Sequence, residues 1–196
     1  MNLVQIQSLL LREIILTQSS CYRWSVLISA LDSLQKPVYS IVEIGVNQAD
    51  CSRFLRLCFP LAHLYLIDPW ELGSTYRASD GPITTKESVM EKAFNKVQNY
   101  FQNDSNTHIL RKTSKEASFL VPDSIDLVFI DGNHDYDFVK EDIELWLPKV
   151  RSGGILAGHD YDLRGERFSG VKRAVDELLG SNISIGKDSV WLYRKG

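Results

Sequence analysis

The sequence predicts an α/β domain built on a doubly wound, mostly parallel sheet, and three observations carry that prediction. Short apolar runs alternate with helical stretches from residue 38 onward, the pattern of successive β/α units. Four of these runs finish at or beside an acidic group, Glu43, Asp68, Asp131 and Asp160. A buried parallel strand reads this way when its carboxyl end opens into a site. After the fifth unit come two more strand-like runs around a turn, which adds one antiparallel edge strand to the sheet.

In chain order, residues 3–16 carry Leu3, Ile6, Leu9, Leu10 and Ile14 at helical spacing, and a second helical stretch over 22–34 ends before Pro37. These N-terminal cover helices, residues 1–37, either lie over an edge of the core or pair with a second copy in a homodimer. Residues 38–196 form the α/β domain. A first strand covers 38–44, Gly45 breaks it, and helical spacing resumes over 50–57 before Pro60. A second strand covers 63–68. The polar stretch 70–85 exceeds a normal strand-to-helix loop, a length often used for lids and binding loops. An amphipathic helix follows over 86–101, with Val89, Ala93, Val97 and Tyr100 on one face.

The third strand covers 107–111, and Ser114 opens a short helix. Strands four and five, over 125–131 and 153–160, flank a helix over 138–147. A last helix over 168–179 precedes the closing strands at 183–185 and 190–193. That makes seven strands in all.

The 196 residues suit one domain, and the hydrophobic and charged fractions, 44% and 24%, are those of a globular protein. A net charge of −3 with no Lys/Arg cluster argues against a nucleic-acid partner. Three cysteines without a CxxC pair exclude a disulfide framework, and Cys51 and Cys58 read as buried small hydrophobes in a reducing, cytoplasmic setting. The first residues lack the basic start of a signal peptide, and no membrane span is expected.

The turn after strand one, Glu43-Ile44-Gly45-Val46-Asn47-Gln48-Ala49, is where a nucleotide-like ligand approaches the backbone and a helix N-terminus. A dinucleotide fingerprint wants glycine at 47 and 50, where Asn47 and Asp50 stand, so a dinucleotide is disfavoured. Asp68, some twenty residues on, suits a ribose, because one carboxylate can accept from both hydroxyls. Alone, either Glu43 or Asp68 is equally well an ordinary strand-terminal acid; their spacing together favours binding.

Glu43-Ile44-Gly45, Asp68-Pro69-Trp70, Ser114 and the run from Phe129 to Tyr136, FIDGNHDY, resemble the class I S-adenosylmethionine-dependent methyltransferases. Within them the chain most resembles the small bacterial methyltransferases related to the macrolide-sugar and other metal-dependent O-methyltransferases, over residues 38–194. The resemblance implies a Rossmann-like sheet of seven strands with the last antiparallel. It places Glu43 and Gly45 near the methionine part of S-adenosylmethionine, Asp68 on the ribose, and Trp70 and Ser114 near the adenine. Asn47 and Asp131 complete the expected cofactor contacts. The sequence departs from the family's glycine-rich loop at Asn47 and Ala49.

Asp131 ends strand four, and His159 with Asp160 ends strand five. Neighbouring strands lie about 4.8 Å apart, close enough to share one ion. Two carboxylates and an imidazole suit Mg²⁺ or another hard divalent cation, the imidazole tilting the choice toward Mn²⁺, Fe²⁺ or Zn²⁺. The resemblance implies the same ligands, with His159 a departure from an acid or amide. His134, three residues after Asp131, stands where related catechol-type enzymes keep a lysine, and is the expected general base. Tyr136 and Tyr161 are expected to wall the pocket. His63, His108, Trp146 and Trp191 are assigned to structure.

The expected activity is methyl transfer from S-adenosylmethionine to a hydroxyl oxygen of a small molecule, assisted by a divalent cation. A metal-dependent hydrolase and a non-catalytic S-adenosylmethionine-binding module are the alternatives. Acceptor specificity is expected to reside in residues 70–88, the N-terminal helices and residues 161–169.

Overall fold

The computed structural model describes residues 23–71, 83–161 and 169–196. The predicted helix over 3–16, most of the 70–85 stretch and the loop before the last helix lie outside the described residues. Within them the elements are α1 (Arg23–Asp32), β1 (Ser40–Ile44), α2 (Ser52–Cys58), β2 (His63–Ile67), α3 (Ile83–Phe101), β3 (Thr107–Leu110) and α4 (Ser114–Ser118). They continue with β4 (Ile125–Ile130), α5 (Tyr136–Trp146), β5 (Val150–Gly158), α6 (Ser169–Leu179), β6 (Ile183–Ile185) and β7 (Trp191–Arg194).

The sheet runs β3-β2-β1-β4-β5-β7-β6, a Rossmann-like order that reverses direction between β1 and β4. Strands β1 to β5 pair in parallel. The antiparallel member, β7, slots between β5 and the short outermost β6. A turn too short for a crossover joins β6 to β7, so β7 must return alongside β6 in the opposite sense.

Helices cover both faces, as the near-continuous apolar strands require. One core packs α1, α2 and α3 on the sheet, with Leu27, Leu31, Leu55, Ala93, Val97 and Phe129 buried. The other packs α5 and α6 through Val139, Ile143, Trp146, Val171 and Val175. Leu27, Ile28 and Leu31 of α1 are essentially fully buried in the first core, so the described part of the N-terminal cover shares the core of the α/β domain. Trp146 and Trp191 are core residues as expected, as are Cys51 and Cys58.

The buried stripe of α3 differs from the predicted face. Ala93, Val97 and Phe101 turn inward at i, i+4, i+8 spacing, whereas Val89 and Tyr100 are 42% and 47% exposed. Both remain near the apolar side, and either register satisfies a 3.6-residue period; the packing partner on the sheet selects one. At the amino ends of the strands, Asp126 on β4 is buried and accepts from the Tyr39 and Ser40 backbone N–H groups, while Arg151 Nε on β5 lies 2.6 Å from its other oxygen. This pair ties the starts of β1, β4 and β5 together. On the same rim, His63 Nδ1 and His108 Nε2 lie 3.1 Å apart with Tyr65 stacked on His108, a structural arrangement remote from the carboxyl ends.

Register positions the site. Ile67, Ile44, Ile130 and Gly158 stand abreast across β2, β1, β4 and β5. The next residue on each strand is therefore Asp68, Gly45, Asp131 and His159, one row just beyond the sheet. Backbone bonds continue the ladder into it: Gly45 N–H donates to Ile67 O at 2.8 Å, Asp131 N–H to Ile44 O at 2.8 Å and His159 N–H to Ile130 O at 3.0 Å. Among the described residues, no helix is long and apolar enough to cross a membrane.

Gly158 precedes His159 and Asp160 at the end of β5, and a Cβ there would meet the Trp191 indole at 2.4 Å. Gly158→Ala is therefore expected to destabilise the fold by about 1–3 kcal/mol or more through overpacking, read as a lowered urea midpoint at unchanged m-value. A midpoint equal to that of the parent protein would contradict this packing.

Candidate functional site

The half of the row on β1 and β2 is held by backbone hydrogen bonds to one carboxylate. Asp68 Oδ2 accepts from Asn47 N–H at 2.9 Å and Oδ1 from Trp70 N–H at 2.7 Å. Burial is the largest influence on Asp68 and raises its carboxyl above the usual range despite those bonds. The loop it clamps has glycine geometry without the glycines: Asn47 and Ala49 adopt φ of 50° and 62°. The departure from a glycine-rich loop is thus one of residue type, with the left-handed turns retained.

Gly45 has φ +86°, and a Cβ there would lie 2.1 Å from the Asp131 carbonyl oxygen. Its smallness lets β1 meet the end of β4, a reason in addition to ligand approach. Trp70, expected near the adenine, is 2% exposed, packs against Phe94 at 4.9 Å and donates Nε1–H to Asn47 O at 2.8 Å. It serves as a core wedge beneath the loop. Ser114 is likewise occupied: its hydroxyl accepts from Trp146 Nε1 at 2.8 Å and bonds to buried Asp142, whose carboxyl burial pushes up to about 7.

Glu43 lies inside the same half, 2% exposed, with its carboxyl bonded to the Ser52 hydroxyl. Burial pushes its pKa up to about 8, and nearby Asp131 and Asp68 add to the rise.

The other half gathers on β4 and β5. Asp131 bonds through Oδ2 to Arg23 of α1 and lies 3.6 Å from His159 Nδ1 through Oδ1. Burial raises the Asp131 carboxyl, and Arg23 and His159 offset only part of that rise. Asp160 lies between two imidazoles, with Oδ2 2.6 Å from His134 Nε2 and Oδ1 2.7 Å from His159 Nδ1. Burial would raise Asp160, but these imidazoles outweigh it and hold the carboxyl well below the usual range. Burial would lower His159, yet Asp160 and Asp131 raise it above its ordinary value. Asp160 itself has φ +60°, a strained conformation of the kind found where a site over-determines its backbone.

Ligand atoms of Asp131, His134 and Asp160 all lie within 4.8 Å of one another, near enough to share one divalent cation. His159 was expected as the imidazole of that set. It lies beside Asp160 at 7% exposure, with Nδ1 2.7 Å from Asp160 Oδ1. Its Nε2 lies 3.6 Å from Asp188 Oδ2.

Tyr136 and Tyr161 were expected to wall the pocket, but both hydroxyls turn to α6, donating to Glu177 and Asp176 at 2.6 Å. Arg23, Ser52, Asp188 and Gly170 join the site only in the folded structure. A Cβ on Gly170 would lie 2.5 Å from His134 O, so this glycine seats the His134 loop on α6. Arg23, Asp188 and Gly170 carry no local signal, since each comes from a distant part of the chain, whereas Ser52 lies nine positions from Glu43 in the helix that follows β1.

The fold and this row of side chains together define a methyltransferase architecture. The chain belongs to the methyltransferase-domain family: the family model described as "Methyltransferase domain" matches residues 42–161, more than half of the chain. It is 29% identical over 154 residues to protein y4gI of Sinorhizobium fredii, a match covering 74% of this chain and 15% of that protein, so the chain spans a small part of that relative's length. Among solved structures it is similar to the O-methyltransferase NovP, with TM-score 0.64 and 16% identity over 96% of this chain and 99% of that one. It is also similar to an O-methyltransferase from Bacillus cereus in complex with SAH, with TM-score 0.59 and 12% identity over 100% and 92%. At these identities the structural likeness is one of fold.

The buried Glu43 has a consequence for stability against pH. Unfolded, a glutamate releases its proton near pH 4.3, whereas folded Glu43 keeps it to about pH 8. The folded state binds more protons across that window, so its stability falls as pH rises, by up to about 1.4 kcal/mol per unit. Asp142 adds to the same slope up to about pH 7. In Glu43→Gln the decline in urea midpoint between about pH 5 and pH 8 should become shallower. An unchanged slope would show that Glu43 ionises freely in the fold.

Proposed function

We propose that the chain moves a methyl group from S-adenosylmethionine to a hydroxyl oxygen of a small molecule, assisted by a divalent cation such as Mg²⁺ or Mn²⁺. The observation that carries the reading is the row itself: an acid-lined loop on β1 and β2 stands beside the converging Asp131, His134 and Asp160 on β4 and β5. Methyltransferase-domain membership and the O-methyltransferase neighbours support it.

The residues fit a cationic cofactor. Glu43, Asp68 and Asp131 are acids whose carboxyls burial has raised, so positive charge delivered among them would be stabilised. Glu43 and Gly45 would face the methionine part, and Asp68, with the loop through Asn47, the ribose. Trp70 would shape that loop from below. Bound there, the cofactor supplies an electrophilic methyl group on sulfur.

The residues also fit a hard or borderline divalent cation, with two carboxylates and an imidazole as donors. Its chemistry there would be to stabilise negative charge on the acceptor hydroxyl. Asp131 and Asp160 would hold it, with His159 as the third group and His134 accepting the acceptor's proton. Asp160 would then orient His134 through the 2.6 Å contact at Nε2. The proximity of Asp131, His134 and Asp160 favours a second assignment, in which His134 is a ligand and His159 supports Asp160 from behind.

Isothermal titration with S-adenosylmethionine tests the donor half: micromolar-range binding by the parent protein should weaken at least about tenfold in Asp68→Ala. No binding by the parent, or no change in the variant, would overturn the reading. Turnover of a phosphate or ester substrate with no added cofactor would instead favour a metal-dependent hydrolase.

His134→Ala separates the two assignments. As the base, His134 can be removed without weakening Mn²⁺ binding, since losing its 2.6 Å contact frees Asp160 Oδ2 for the ion, while kcat falls by about 10²–10⁴. As a ligand, its removal weakens Mn²⁺ binding directly. Full activity in His134→Ala would exclude both roles.

A further inference from the structure

Arg23, the first residue of α1, occupies the carboxylate that a cation would use. Its Nη1 bonds to Asp131 Oδ2, an oxygen of the same side chain that converges with His134 and Asp160. The guanidinium is more than a passing surface group, since Asp131 is 11% exposed at the side chain and Arg23 is 36% exposed. One carboxylate oxygen cannot satisfy a guanidinium and a divalent cation with full strength at once, because two positive charges would share a short, poorly screened contact.

Arg23 also has a second acid within reach. Its backbone N–H donates to Asp188 Oδ2 at 2.9 Å, and its Nε lies 3.7 Å from the same oxygen. Asp188 is one-third exposed, in the turn between β6 and β7, and faces His159 Nε2 at 3.6 Å. A guanidinium leaving Asp131 therefore has a carboxylate already aligned to receive it, with its main chain anchored there.

The geometry points to Arg23 as an internal cation that holds Asp131 and exchanges with the divalent metal, moving from Asp131 to Asp188 as the metal binds. This inference rests on the reading that the cluster takes a divalent cation. In the metal-free protein the guanidinium neutralises Asp131, which would otherwise face Asp160 across the site. On metal binding Arg23 passes to Asp188 and frees Asp131 Oδ2. Arg23 thus sets the threshold concentration of metal at which the site assembles, and α1 is linked to that event through its first residue. No covalent bond changes; only ion pairs are exchanged.

Mn²⁺ binding to the full chain, followed by the loss of the free-ion electron paramagnetic resonance signal, tests this without any turnover. Arg23→Ala should bind Mn²⁺ at least about tenfold more tightly than the parent protein, because the competitor is gone. Asp188→Asn should bind it several-fold more weakly, because the guanidinium has lost its alternative seat. In the double variant the Asp188 effect should vanish, the coupling expected of groups acting through one another. An Arg23→Ala affinity within about twofold of the parent, or independent, additive effects of the two substitutions, would overturn the exchange. Additivity would mean that Arg23 and Asp188 act only as nearby charges. If Arg23→Ala and the parent both leave the Mn²⁺ signal untouched at millimolar protein, the metal reading itself falls and the exchange with it, whereas S-adenosylmethionine titration still reports separately on methyl transfer.

Discussion

The close approach of β1 to β4 at Gly45 and Asp131 is the contact on which the rest of the site depends. Asp131 N–H donates to Ile44 O, and no side chain larger than hydrogen fits at position 45 without striking the Asp131 carbonyl. This junction stands at the reversal of the strand order, where the loops after β1 and β4 diverge to opposite faces and leave a crevice between them. The loop carrying Asn47 and the β4 extension carrying Asp131 are therefore neighbours by construction. The two halves of the row can meet only because the backbones touch.

Around that junction the fold concentrates acids in a low-dielectric setting and compensates them unequally. Glu43 has a hydroxyl for company and takes its proton up to about pH 8, whereas Asp160 has two imidazoles and stays ionised. Asp131 falls between, partly compensated by Arg23. Such uneven compensation separates the protonation behaviour of like groups within one site, the arrangement that lets neighbouring carboxyls take different roles. It also leaves the β1 half suited to incoming positive charge and the β4–β5 half already supplied with some.

Much of the fold was legible because its signals are local. The apolar runs that became the central strands β1 and β4 are buried on both faces, and so carry their strand identity in composition alone. The acids closing those runs stand where parallel register predicts, which is why Asp131 and Asp160 were identified together. The face of α3 was less legible: Val89 and Phe101 are equally apolar as letters, and the sheet beneath decides between them. Trp70 and Ser114 each have an internal partner that the sequence did not show, Asn47 for one and Trp146 with Asp142 for the other.

By itself the sequence determined the order of strands and helices, the polarity of the strand ends and the identity of the acids and imidazoles available there. These follow from period, composition and the rule that parallel strands open at their carboxyl ends. The tertiary structure decided which of those groups meet. Arg23 lies 108 positions before Asp131, and Asp188 lies 165 positions after Arg23, yet the three form one chain of charges. It also brought both imidazoles to the two acids, His134 against one Asp160 oxygen and the more buried His159 against the other, with Asp131 beside them. Side-chain convergence depends on strand register and loop path, and neither is encoded within a single stretch of residues.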